Sequence, residues 1–181
     1  MRKCLSSRLL LFCLIFGLSG AAPALDVRTF NKLAKDTIRQ VNMGVVGDID
    51  ALIAVQETLM ALGVEGSVKY TQENRSESKP LLIVIQNAEK MRNLKLNEIE
   101  KQWHEGEFLR NKGVNMDELN HFGAMNSLMD TIIHPATSYL LLKEYKQTGD
   151  ASLLARVKGE LVEVLEHVKH VNDDSVQANA E

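Results

Sequence analysis

Apolar residues recur at helical spacing along most of the chain after residue 25. In the clearest case, apolar side chains alternate at intervals of three and four residues near the C-terminus: Leu154, Val157, Leu161, Val164, Val168 and Val171. This spacing places them on one side of a helix, and Asp150 precedes them as a candidate N-cap. A run of about two and a half heptads is short for a coiled coil, so it predicts a helix packed inside a bundle.

The same reasoning predicts two helices in the first third of the chain. Residues 26–43 and 48–62 each carry one apolar stripe. Asp26 and Asp48 are candidate N-caps, because a side-chain carboxylate can accept hydrogen bonds from the unpaired amides of a first turn. The connection between the two stripes is short, so we expect them to form an antiparallel hairpin.

The middle of the chain is predicted to be a loop followed by a third helical arm. Gly63 is expected to end the second helix, and the polar residues 64–78 to form a mobile or functional loop. Pro80 suits a first helical turn, and the apolar stripe continues from there to about Asn111. A capping-box pattern that begins at Asn97 predicts a kink or a restart inside this arm.

A fourth arm is predicted from Asn115, where another capping-box pattern precedes an apolar stripe. Pro135 interrupts this stripe, because proline removes a backbone donor and clashes with the preceding turn. We therefore expect a kink or break at His134, and a second segment that ends by Gly149. Together, these segments predict an all-α protein, an up-down helical bundle with four main arms and with kinks in the third and fourth.

The first 24 residues have the pattern of a secretory signal peptide. Basic residues are followed by an apolar run over residues 9–18 and by a small-residue cleavage signal at 22–24, which places the mature N-terminus near Leu25. The apolar run is shorter than the about 20 residues that span a bilayer. We expect export, to the periplasm in a Gram-negative bacterium and otherwise out of the cell, with no membrane span after cleavage.

Processing at this site changes what the chain can do chemically. Both cysteines, Cys4 and Cys13, lie in the signal, so the mature chain lacks disulfides, thiolate metal sites, cysteine nucleophiles and the attachment motif of covalent haem. The signal also removes three of the 21 basic residues, which leaves 18 against 24 acidic residues and a net charge of −6. An acidic chain argues against nucleic acid as a partner.

The mature chain is predicted to be one domain over residues 25–172, with a flexible polar tail over residues 173–181. It contains no glycine-rich phosphate loop and no nucleophile elbow, so we do not expect an enzyme. No motif identifies a cofactor. His167 and His170 are predicted to lie on a solvated face, because basic residues suit a helix C-terminus.

We predict a ligand site in the bundle core, where a tryptophan near histidines and carboxylates can line a pocket and a proline-interrupted helix can form a concavity. Its candidate residues are Trp103, His104, His121, His134 and Tyr139. The leading hypothesis is an exported binding or sensory protein that recognises a small ligand non-covalently.

Two other hypotheses stay open. The first is a metal-binding protein: His121, Met125 and Met129 recur every four residues, and thioether and imidazole groups suit Cu(I), although methionine at this spacing also fills cores. Three histidines that converge with a carboxylate would instead suit zinc or another divalent metal. The second is an interaction module with no small ligand, which pairs with a partner protein or with a second copy as a homodimer.

Overall fold

The computed structural model describes residues 25–44, 46–75, 78–121 and 123–177. All regular secondary structure in these residues is helical, so the predicted all-α class is confirmed. The predicted signal peptide lies outside the described residues, as do the last four residues of the predicted tail.

Helices follow one another with short connections in the described part of the chain. The α-helices are α1 (Val27–Asn42), α2 (Ile49–Glu73), α3 (Lys79–Met91), α4 (Leu96–Ile99), α5 (Glu107–Asn111), α6 (Ala124–Thr148) and α7 (Ser152–Gln177). A π-helix (Glu100–His104) joins α4 to α5, and a 3-10 helix (Met116–Glu118) lies between α5 and α6. The last helix thus reaches into the segment predicted as a tail.

The local signals at the helix starts are confirmed. The side chain of Asp26 accepts from the Thr29 amide at 3.0 Å, and that of Asp48 accepts from the Ala51 amide at 3.0 Å. The apolar seam of α7 is buried from Leu154 to Val168, as its spacing predicts. These features depend on residues within one or two helical turns, which the sequence displays directly.

The predicted end of the second helix is wrong, and so is the predicted loop over residues 64–73, while residues 74–75 and 78 lie outside any helix and residues 76–77 are outside the described part of the chain. Helix α2 continues through Gly63 to Glu73. Gly63 lies against α6, where a Cβ atom would be 2.6 Å from the carbonyl oxygen of Thr131. This glycine therefore allows two helices to approach closely, rather than ending one of them.

The third arm restarts where the chain turns after α3. Helix α3 carries Pro80 in its first turn, as predicted, and ends at Met91. The helix cap lies at Lys95, two residues before the predicted Asn97, and only half of a capping box forms there: the Glu98 side chain accepts from the Lys95 amide at 2.8 Å, but the Lys95 side chain has no acceptor. The single stripe to Asn111 is thus divided among α4, the π-helix and α5.

Of the predicted kink or break at His134, the break is wrong, because α6 is continuous through Pro135, and the kink stays a prediction. The helix predicted to begin at Asn115 is limited there to the short 3-10 turn, and α6 begins at Ala124. Pro135 cannot donate a hydrogen bond to the Thr131 carbonyl four residues earlier. Since Thr131 is also the residue that contacts Gly63, the close approach of α2 occurs where α6 lacks a backbone hydrogen bond.

Helix α6 is central to the packing. It contacts α7, α2 and α3, while α1 packs on α7 and α2. Its interior is partly polar, since Thr131, His134, Thr137 and Ser138 are all buried. Among the described helices, α2 alone is long and apolar enough to cross a membrane, a property that core helices of soluble proteins share.

Candidate metal centre

Four of the five histidines lie next to one another where α6 and α7 meet the π-helix and the turn before α6. The ring centroids of His104 and His134 are 5.1 Å apart, those of His134 and His167 are 6.0 Å apart, and those of His167 and His121 are 5.0 Å apart. We call these four residues the histidine row. Its members come from segments far apart in sequence, so tertiary packing assembles it.

The π-helix brings two neighbouring residues to the same site. Successive residues of a regular α-helix point about 100° apart, and a π-helical turn, which is frequent at functional sites, has more residues per turn and so reduces this angle. Trp103 is buried and stacks on Phe108 with ring centroids 4.7 Å apart. The next residue, His104, reaches α6, where its Nε2 lies 2.8 Å from the Thr137 hydroxyl oxygen.

A first group of donor atoms comes from His104, His134 and Glu160, which we call the Glu160 set. The Glu160 Oε2 lies 2.9 Å from His134 Nδ1 and 3.6 Å from His104 Nε2. The three donor atoms all lie within 4.8 Å of one another. Tetrahedral zinc, with bonds of about 2.0–2.1 Å, needs donors roughly 3.4 Å apart, so small side-chain movements would complete a site.

A second group comes from Asp130, His134 and His167, which we call the Asp130 set. Asp130 Oδ2 lies 3.2 Å from His167 Nδ1, and Asp130 Oδ1 lies 4.0 Å from His134 Nε2. These donor atoms also fall within 4.8 Å of one another. The two sets share His134, whose Nδ1 faces Glu160 and whose Nε2 faces Asp130.

The donor groups are removed from water to different degrees. The side chains of His134 and His167 are 5% and 8% exposed, those of Glu160 and Asp130 are 15% and 17% exposed, and that of His104 is 22% exposed. A charged group loses hydration when it is buried, so each donor is displaced towards its neutral form.

The pKa values follow from this burial. Desolvation, with the nearby Glu163 charge, raises the pKa of Asp130 to about 8, and desolvation raises the pKa of Glu160 to about 7. Desolvation lowers the pKa of His134 and of His167 to about 4, and it also lowers the pKa of His104. The imidazoles are therefore neutral near pH 7, which is the form that binds metal ions.

A cavity of about 430 Å³ adjoins the histidine row. All four histidines of the row line it, together with Trp103, Asp130 and Met129. A molecule from solvent can therefore reach the four histidines and Asp130, since His121 at the end of the row is exposed, whereas Glu160 does not line this cavity. The space exceeds that of a single water, so a small ligand could lie beside a bound ion.

The cavity unites most, but not all, of the residues predicted from the sequence. Trp103, His104, His121 and His134 line it, as does Met129 of the predicted copper set. Two predicted residues do not: Met125 packs against the hydrophobic core, and the Tyr139 ring lies 5.1 Å from the Lys143 ammonium group beside a different cavity.

Sequence reasoning missed three donors as members of a site. His167 was expected on a solvated face, which is wrong, since it is buried against α6. Glu160 lies seven residues before His167, and Asp130 four residues before His134, so both spacings keep the paired side chains on one helix face. These spacings are the signal that could have indicated the two sets.

Comparison with known proteins adds no constraint on function. No protein-family model, no curated protein and no solved structure matches the chain. The function therefore has to be inferred from the chemistry of the side chains that the fold brings together.

Proposed function

We propose that this chain is an exported protein that binds a divalent transition-metal ion, and that the Glu160 set holds the ion. One observation supports the proposal most directly: two imidazoles and a carboxylate, from three separate helices, place their donor atoms within 4.8 Å of one another. Imidazole nitrogen and carboxylate oxygen are ligands of zinc, copper, nickel and iron.

Three protein ligands leave a coordination position for a small molecule. Metal sites with three protein ligands keep a further position for water or substrate, whereas structural zinc sites fill all four. The adjoining cavity gives room for such a ligand. The predicted recognition of a small ligand is thus part of the same proposal, as metal-assisted binding.

Burial supports a cation at this position. The Glu160 carboxyl is 15% exposed, and a divalent cation would offset the free-energy cost of ionising it there. The hydrogen bond between His104 and the Thr137 hydroxyl would be replaced by coordination of the imidazole. Ionisation of this buried carboxyl is unfavourable in the metal-free protein and becomes favourable once the metal is bound.

We further propose that the chain is a binding protein rather than an enzyme, that its helices form an up-down bundle of four main arms, and that nucleic acid is not a partner. Export suits nitrogen and oxygen donors, because oxidising compartments convert thiols to disulfides but leave imidazole and carboxylate groups unchanged. No cysteine lines the described cavity, and the sequence contains none after the predicted cleavage site, so a thiolate ligand is not expected.

The direct test is a titration of the metal-free protein with zinc and with copper. The protein is recovered after export, and its intact mass shows whether it begins at Leu25. We expect stoichiometric Zn(II) binding by native mass spectrometry. Cu(II) should quench the fluorescence of Trp103, the single tryptophan, because this residue lines the same cavity.

A matched pair of variants locates the ion. His104→Gln should weaken Zn(II) binding at the Glu160 set and reduce the quenching. His170→Gln should behave as the wild type, because His170 does not line the cavity. If the wild-type chain binds no metal at micromolar concentrations, the cluster is instead a polar network that stabilises the packing of α7 on α6.

Metal binding should also release protons from Glu160. The folded-state pKa of Glu160 is raised to about 7, so its carboxyl is largely protonated at pH 6 and ionised at pH 8.5. Binding at pH 6 should release about one proton from this group, and binding at pH 8.5 almost none. Calorimetry in two buffers of different ionisation enthalpy measures this release. With one equivalent of Zn(II) at pH 6, Glu160→Gln should release about one proton fewer than the wild type. Equal release in the two proteins would show that the proton comes from another group, such as the Asp130 carboxyl, whose pKa is raised to about 8.

A further inference from the structure

The geometry points to a two-metal centre in which the imidazole of His134 bridges two cations, one in the Glu160 set and one in the Asp130 set. This inference rests on the proposed function, because the Glu160 set supplies the first ion. It adds a second site and a defined connection between the two.

The positions of the two ring nitrogens of His134 carry the argument. Its Nδ1 lies 2.9 Å from Glu160 Oε2, and its Nε2 lies 4.0 Å from Asp130 Oδ1. The lone pairs of these nitrogens diverge from the ring, so one ion cannot bind both. Because a different carboxylate faces each nitrogen, the ring is placed to serve two ions rather than one.

The Asp130 set has the donors and the support that a second ion requires. His167 Nδ1 lies 3.2 Å from Asp130 Oδ2, and the His121 ring packs against His167 from the cavity side. The Asn126 amide donates to Asp130 Oδ2 at 3.2 Å and to the His121 carbonyl oxygen at 3.1 Å. Outer hydrogen bonds of this kind orient metal ligands and are typical of metal centres.

With both ions bound, three negative ligand charges face four positive charges, which leaves a net charge of +1 at the centre. Neutral His134 carries one ring N–H proton, and coordination through both nitrogens requires this proton to leave to solvent. The resulting imidazolate bears one negative charge. Together with the carboxylates of Glu160 and Asp130 it supplies three negative charges to two divalent cations, and the neutral imidazoles of His104 and His167 complete the sets.

The first test counts ions. The metal-free protein recovered after export, titrated with Zn(II), should bind two ions by native mass spectrometry, with His170→Gln as the matched control that also binds two. His167→Gln and Asp130→Asn should each bind one, and His104→Gln should bind one. Circular dichroism verifies that each variant keeps its helical content.

The outcomes separate the two proposals. If the wild type binds one ion, the two-metal centre is overturned while the proposed function survives. If it binds none, the proposed function fails as well. Because the wild-type count needs no substitution, a variant that fails to fold does not affect this conclusion.

The second test detects the bridge with Cu(II) as a spin probe. At one equivalent the wild type should give the full electron paramagnetic resonance intensity of an isolated ion. At two equivalents, coupling through the His134 imidazolate should abolish most of the intensity at low temperature. Two bound Cu(II) ions with undiminished total intensity would overturn the bridge, because they would be magnetically independent.

Discussion

Replacing His134 with glutamine should abolish tight metal binding by this chain. His134 belongs to both donor sets, whereas His104 and His167 each belong to one. We expect the affinity for Zn(II) to fall more than about 100-fold, beyond the range typical of losing a group that only supports a ligand. His104→Gln and His167→Gln should each leave one site, so the three variants together identify the shared ligand.

The stability of the metal-free variant gives an independent check. His134→Gln removes the imidazole that contacts Glu160 at 2.9 Å and leaves this partly buried carboxyl poorly paired. Losing one partner of such a pair costs about 1–3 kcal/mol of unfolding free energy. Thermal unfolding measures this loss, with His170→Gln as the control. If His134→Gln binds Zn(II) as tightly as the wild type, the ion is bound outside both sets.

The parts of the fold that could be predicted are those that short stretches of sequence determine. Asp26 and Asp48 cap helices because each acts on an amide three residues away. The seam of α7 follows from its own spacing. By contrast, the role of Gly63 depends on Thr131, which is far away in sequence. The preference of helix ends for glycine therefore led to the wrong prediction that α2 ends there.

Pro135 is a second residue whose effect on the helix could not be predicted from local sequence, because the helix continues where a break was expected. A proline inside a helix removes one hydrogen bond and normally kinks or breaks the helix. Helix α6 nevertheless continues, because α2, α3 and α7 pack around it and bury most of its side chains. Burial of this extent outweighs a local penalty of about 3 kcal/mol. The sequence displays the penalty but not the packing that offsets it.

Only part of the candidate site could be predicted, because some of its residues stand out by type whereas the burial of others depends on tertiary packing. Trp103, His104 and His134 stand out by residue type, and the structure gathers them at one cavity. Glu160 and His167 each immediately precede a seam residue of α7, so they lie at the edge of its buried stripe. Residues at such an edge become buried or exposed according to the width of the neighbouring helix surface, which one sequence does not reveal.

Replacing Gly63 with alanine should destabilise the protein, although alanine favours helices over glycine. A Cβ atom at Gly63 would lie 2.6 Å from the Thr131 carbonyl oxygen and 2.7 Å from its hydroxyl oxygen. The carbonyl cannot move without moving α6, so we expect overpacking to cost about 1–3 kcal/mol net of the helical preference. Thermal unfolding should shift downward by about 2–4 °C per kcal/mol in a domain of this size.

Gly159→Ala on α7 is the matched control, because a Cβ there meets nothing within 4 Å. That variant should gain about 0.5–1 kcal/mol, so the two glycine-to-alanine changes should have opposite signs. Gly63→Ala should also weaken Zn(II) binding, because Thr131 adjoins Asp130 and lies less than one turn before His134 on α6. If both variants are stabilised equally, α2 and α6 do not meet at Gly63, and the helix spacing that places His134 between its two carboxylates is wrong.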